Sequence, residues 1–313
     1  MQLFFHILAN NILPIFVLIL LGFWLGRKFP LDLPTLSKVY FYVFLPAFLF
    51  VHLVNTTIAW EMVNVFAFAV IFLALNMVIS YLIGRIRKFS SSKKGAFANS
   101  IMFYNSGNVG LPLITLVFSQ TPYFEAALTA QIIVLVFQNV TTNAVGIVNA
   151  ARADLKWKEL AVEILAMPSI WIIPLALIVK TLNIDLSNAA PLWTPLQYAA
   201  DALVPTALLT LGVQLSRTKF VLGDLDVYLS VFVRLIAGPI LAWIVLRLLQ
   251  IQGPVGQALL ISSSVPTAVN TALIALEFNN EPDFASQVVL TSTVCSACTL
   301  VVVIYSAQIL FPL

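Results

Sequence analysis

Long apolar stretches alternate with short polar ones along nearly the whole chain. At about 20 residues for each bilayer-crossing helix, ten apolar segments can be drawn. They cover approximately residues 8–26, 36–55, 61–84, 96–119, 123–149, 160–182, 196–215, 227–249, 254–279 and 284–311. Two of them are interrupted. The fourth contains Asn105, Ser106, Gly107, Asn108, Val109, Gly110, Leu111 and Pro112, with two glycines, a proline and two carboxamides. These residues oppose a continuous helix, because proline removes a backbone donor and glycine costs about 1 kcal/mol relative to alanine. Freed backbone at membrane depth survives only where protein or a wet cavity covers it. The ninth segment holds a second such stretch, Ser262 to Thr271, with Pro266, Thr267 and Asn270.

Internal repetition relates the two interruptions. Ile12-Leu13-Pro14 matches Ile172-Ile173-Pro174, Leu45-Pro46-Ala47 matches Val204-Pro205-Thr206, and Pro122-Tyr123-Phe124 matches Pro282-Asp283-Phe284, at offsets of 160, 159 and 160 residues. This predicts two five-helix repeats, residues 1–149 and 150–313. Five is odd, so the copies must lie oppositely in the membrane. Segments 4 and 9 then correspond, and a pair of interrupted segments in equivalent places points to a binding site.

Composition and charge narrow the class. The 313 residues are 61% hydrophobic and 9% charged, against about 25% charged in soluble domains. This is an all-α integral membrane protein, with no stretch polar enough for a separate soluble domain and no cleavable signal pattern. Of 16 Lys and Arg, 13 fall in alternate connections: Arg27, Lys28, Lys38; Arg85, Arg87, Lys88, Lys93, Lys94; Arg152, Lys156, Lys158; Arg217, Lys219. Lys180 and Arg247 lie on the other side, and Arg234 lies inside segment 8. The excess marks the cytosolic face, so both termini are expected outside a cell (inner) membrane. The basic balance reads as topology and not as nucleic-acid binding. Cys295 and Cys298 form a lone C-x-x-C, read as small packing residues and not as a metal site.

Several motifs together resemble the auxin efflux carrier family. The run from Asn105 to Pro112 looks like its N-x-x-x-x-G-[IL]-P pattern. Gln131-Ile132-Ile133-Val134-Leu135, Asp201 with Leu211-Gly212, and Glu277-Phe278-Asn279 with Pro282-Asp283 are similar to further family motifs. The resemblance covers essentially the whole chain. It implies ten helices in two inverted repeats, distantly similar to bile-acid sodium symporters. Helices 1, 2, 6 and 7 would form a scaffold, and 3–5 with 8–10 a moving transport domain whose helices 4 and 9 cross at their breaks. It also implies a homodimer. The short connection from Ala150 to Glu159 departs from the long plant members and looks like the compact prokaryotic type.

At the interruptions, half-helix N-termini present unpaired N–H groups and partial positive charge. They suit a small organic anion, a mono- or dicarboxylate or an auxin-like acid. Candidate binding residues are Asn105, Gly107, Asn108, Gly110, Pro112, Gln131, Pro266, Thr267 and Asn270. A carboxamide can also turn its oxygen to a cation. Segment 5 adds a polar stripe of Gln131, Gln138, Asn139, Thr142 and Asn143; Asn139 and Asn143 read as packing contacts. Arg234 reads either as a structural partner of helix-end carbonyls or of a carboxylate, or as a counter-charge to substrate or a gate. Asp201, near the outer end of segment 7, and Glu277 are candidates with Arg234 for proton or sodium coupling. The expectation is a secondary carrier with an elevator-like motion and no cofactor. An anion channel or a sensor on the same fold is the alternative. A membrane-embedded enzyme fits least, since His6 and His52 have no motif partners.

Overall fold

The computed structural model describes residues 2–56, 62–151, 162, 165–184, 186, 189–218 and 223–313. Among these every regular element is helical, and the one extended pairing is an antiparallel bridge between Tyr104 and Thr267. Seven helices are long and apolar enough to cross a membrane: α1 (Phe4–Lys28), α2 (Leu33–Val54), α3 (Met62–Ile86), α6 (Phe124–Ala150), α8 (Ala190–Arg217), α9 (Leu225–Leu248) and α12 (Pro282–Leu310). The expected segment at 96–119 is two short helices, α4 (Ser91–Met102) and α5 (Ser106–Phe118). The segment at 254–279 is likewise two, α10 (Gly253–Ser262) and α11 (Val269–Glu277). From the sixth segment a 14-residue helix, α7 (Pro168–Thr181), is described. The expected connection Ala150–Glu159, with Arg152, Lys156 and Lys158, lies outside the described residues beyond Ala151. So do the start of segment 6 and Lys219.

At four places a proline follows a wide turn; Thr142–Gly146 is a further wide turn without one, and Pro174, Pro195 and Pro205 lie in helices without a wide turn. Leu8–Ile12, Tyr40–Phe44, Ser106–Gly110 and Val233–Ala237 are wide π-helical turns, each ending two residues before Pro14, Pro46, Pro112 or Pro239. Proline has no N–H and its ring crowds the carbonyl one turn back. The chain widens there, and Leu13, Leu45, Leu111 and Gly238 donate to carbonyls five residues earlier. Wide turns of this kind are uncommon and cluster at functional sites. Two of the four lie in segments carrying candidate site residues.

The chain packs as two compact units, one of Met1–Phe16, Trp60–Lys156 and Thr218–Leu313, the other of Val17–Ala59 and Trp157–Arg217. The first contains α3–α6 and α9–α12. Its core joins Phe97 and Ile101 of α4 to Val227, Val231 and Leu235 of α9 and to Phe284 and Val288 of α12. At one end of this core Arg87 pairs with Asp226 at 3.0 Å, and Lys93 lies over the Phe284 ring at 3.8 Å.

The second unit contains most of α1 with α2, α7 and α8. Here α2 packs against α7 and α8. Gly22 and Gly26 form a G-x-x-x-G pair on α1. A Cβ on Gly22 would overlap the Leu209 carbonyl, and one on Gly212 of α8 would overlap the Ile19 carbonyl. The two backbones are therefore in direct contact, the close approach that small residues allow between apolar helices. Lys180, expected as a loop charge, lies in the last turn of α7, where its Nζ is buried without a partner among the described residues.

One further expectation changes. Cys295 and Cys298 are exposed on α12 and do not pack. Asp201 is exposed at the last residue of the helical piece Ala190–Asp201; Ala202 caps it, and α8 resumes at Leu203.

Candidate binding site at the helix breaks

Each break supplies the partners that the other has lost. After α4 the chain is extended at Phe103, and Asn105 opens α5. The Asn105 N–H donates to the Pro266 carbonyl at 2.8 Å, and the Ala268 N–H donates to the Phe103 carbonyl at 3.0 Å. The Thr267 hydroxyl donates to the Ser100 carbonyl at 2.8 Å, and the Thr267 N–H donates to the Ser292 hydroxyl at 3.2 Å. Thr267 is fully buried. Backbone groups freed by glycine and proline thus remain bonded without water, as apolar surroundings require.

Arg234 ties the same two helices from behind. It is fully buried on the π-helical turn of α9. Its guanidinium donates to the Ile101 carbonyl at 2.8 Å and to the Ser263 carbonyl. Those carbonyls end α4 and α10, where the last four C=O groups of a helix lack partners. Each helix C-terminus carries about half a negative charge, so two together offset one buried cation. The guanidinium also lies over the Tyr104 ring at 5.0 Å and Phe72 at 5.7 Å. Gly238, one turn on, leaves it room: a Cβ there would come within 2.9 Å of Nη2.

At the start of α5 two buried polar atoms are unpaired. The Asn105 side-chain oxygen accepts the Asn108 N–H at 3.1 Å and caps the helix. Its Nδ2 has no partner among the described residues. Gln131 on α6 donates Nε2 to the Ser106 carbonyl at 2.7 Å, and its Oε1 has none. Gly110 makes that reach available, since a Cβ there would lie 2.8 Å from Gln131 Nε2. Gln138 accepts the Tyr104 N–H at 3.4 Å. Buried polar groups are nearly always bonded; here an unpaired donor at the start of α5 and an unpaired acceptor on the neighbouring α6 both border the Ser106 turn.

The remaining candidates are distributed as follows. Gly107 and Asn108 are half-buried in the first turn of α5, and Pro112 is buried in it. Pro266 and Thr267 form the other side of the bridge, and Asn270 is half-buried in the first turn of α11. Glu277 is exposed at the far end of α11, about 12 Å of helix from its start. Asp201 belongs to the second unit. Asn143 bonds within its own helix, to the Asn139 carbonyl at 2.8 Å. Tyr104, Ser100 and Ser292 were not candidates, although each is a polar residue within an apolar run and buried polar groups need partners.

Long apolar helices, with two interrupted members joined through their backbones, define a polytopic membrane protein. The profile of the membrane transport protein family matches residues 7–162 and 157–304, and the chain belongs to that family, the auxin efflux carriers that its motifs resemble. It is 24% identical over 297 residues to an uncharacterized transporter of Methanothermobacter thermautotrophicus, across 93% of this chain and 96% of that protein. The protein is a multi-pass membrane transporter.

Proposed function

We propose that the protein is a secondary carrier for small organic anions, mono- or dicarboxylates, held where the two interrupted helices meet. The observation that carries this is the unpaired Asn105 Nδ2 at the first turn of α5. A helix N-terminus favours anions, and a neutral amide donor adds a hydrogen bond to the carboxylate without burying a cation. Arg234 already bonds two carbonyls, so its role in this reading is to hold the breaks. Gln131 Oε1 needs a donor. A hydroxyl, an N–H or a second, protonated carboxyl on the substrate would supply it.

In this reading α4 with α5 and α10 with α11 are the corresponding fourth and ninth spans of ten, in two inverted repeats. The three repeat offsets and the paired breaks support that assignment. The unit holding both breaks moves as one body in an elevator-like step, and α1, α2, α7 and α8 form the frame of a homodimer. The packing of the chain into two units and the close α1–α8 contact support this division. Asp201 and Glu277 are the carboxylates open to proton or sodium coupling.

Thermal stabilisation of the purified protein by a panel of organic acids, with and without sodium and at two pH values, tests the substrate class. Counterflow in vesicles tests the carrier. Stabilisation by anions together with counterflow is expected. A steady conductance without counterflow would replace the carrier by a channel.

A further inference from the structure

Away from the breaks, the first unit contains a cavity of about 440 Å³ between α9, α10 and α12. Its wall is Leu235, Ile236, Pro239, Ile240 and Trp243 of α9, Leu260 of α10, and α12 from Thr299 to Leu310. Its polar side chains are Trp243, Thr299 and Ser306; the Trp243 Nε1 and Thr299 Oγ1 atoms are covered by neighbouring atoms and make no hydrogen bond among the described residues. A water needs two to four polar partners to be held, and an apolar cavity stays dry. Apart from the Trp243 and Thr299 atoms and the Ser306 hydroxyl the wall is hydrocarbon, which suits an acyl chain. Ile236, Ile240 and Val302 of the wall are also exposed, so in a membrane protein the cavity adjoins acyl chains. Along α9 it extends for about 12 Å, from Leu235 to Trp243. One turn beyond Trp243, on the same helical face, stands Arg247, exposed at the helix end and without an ion pair among the described residues.

We propose that this cavity is a site for one bilayer phospholipid with an anionic headgroup. Its acyl chain fills the space between α9 and α12, and its phosphate pairs with Arg247. The lipid wedges the half-helix α10 against its neighbours and is a structural ligand of the unit that carries the breaks. The site lies apart from Asn105 and Gln131 and does not depend on the substrate assigned there.

The test uses the whole protein in vesicles of phosphatidylcholine containing a rising fraction of brominated phosphatidylglycerol, whose acyl chains quench tryptophan fluorescence on contact. The Trp243 component is the difference between the native protein and Trp243→Phe. We expect it to be half-quenched at a brominated fraction about fivefold lower for phosphatidylglycerol than for brominated phosphatidylcholine, the preference due to one basic residue at an anionic surface. Arg247→Gln should remove the preference, and Ser306→Phe, which fills the cavity, should remove early quenching by either lipid. If Arg247→Gln does not fold, high salt on the native protein should shrink the preference by screening. Quenching in simple proportion to the brominated fraction would mean ordinary boundary lipid and overturn the site. Equal quenching by both headgroups would overturn the role of Arg247. Quenching suppressed by a retained amphiphile other than lipid would overturn the choice of occupant.

Discussion

Asn105 uses its two side-chain atoms differently: the oxygen caps α5, and the nitrogen, buried without a partner among the described residues, is the donor assigned to the anion in the proposed reading. The two roles can be separated. Asn105→Ala loses both, so anion affinity and stability fall together, the cap alone accounting for about 0.5–2 kcal/mol. Asn105→Ser retains a capping oxygen and lacks the amide donor. We expect near-native thermal stability and an affinity about tenfold weaker or more, since a hydrogen bond to a charged group is worth about 1.5–3 kcal/mol. Arg234→Lys should behave oppositely. A point ammonium cannot reach two carbonyls as a guanidinium fork does, and each orphaned carbonyl costs about 1–3 kcal/mol. Thermal unfolding should show a large loss of stability. At this scale Asn105, Thr267 and Gln131 stood out as polar residues in apolar runs. Ser100 and Tyr104 did not, because their partners across the junction lie 130 residues or more away, and no local spacing reveals such a pairing.

Among the elements, proline position explains more than helix propensity. Pro112→Ala restores an N–H four residues after Asn108. It should tighten the π-helical turn at Ser106–Gly110 and rotate Asn105 away from Gln131. Substrate binding should be lost while the protein stays folded, and circular dichroism with a binding assay would show the two separately. Gly212→Leu acts on α1 and α8, whose backbones touch. It should destabilise the second unit strongly, read as aggregation on size exclusion. Asp32 caps α2, accepting from the Thr35 hydroxyl and from its N–H at 3.1 Å. These two bonds, the hydroxyl foremost, hold its pKa below the ordinary carboxylate value, with smaller help from Arg217 and Lys38. A depressed carboxylate stabilises the fold above its unfolded pKa of about 4, and that contribution is lost as pH falls through the folded value. Asp32→Asn should therefore flatten the acid end of the stability profile and leave neutral pH little changed. The breaks were legible from Gly and Pro, and four of the wide turns precede a proline, whereas the one at Thr142–Gly146 has none and carried no such signal. The G-x-x-x-G of α1 carried the α1–α8 contact, but glycine is frequent in such helices, so the motif does not name its partner.

For the whole molecule, the apolar runs revealed the long helices, seven of them long enough to span among the described residues, and the 160-residue offsets predicted that the two breaks correspond. Neither could show that the breaks are bonded to one another through Tyr104 and Thr267, because an antiparallel bridge of single residues leaves no periodic trace. The charge asymmetry of the connections predicts both termini outside. Reporter fusions at Gln2 and Leu313 check this, and two cytosolic readings would refute the inverted arrangement. The account as a whole depends on an organic anion bound at the junction of the two breaks. Its most direct test is the dissociation constant of the best-stabilising organic acid for the purified protein, measured for the native chain, Asn105→Ser and Gln131→Ala. The account predicts saturable binding to the native chain and at least about tenfold weaker binding to Asn105→Ser, with both variants folded. Unchanged affinity in both variants, or no organic anion bound by the native chain, would contradict it.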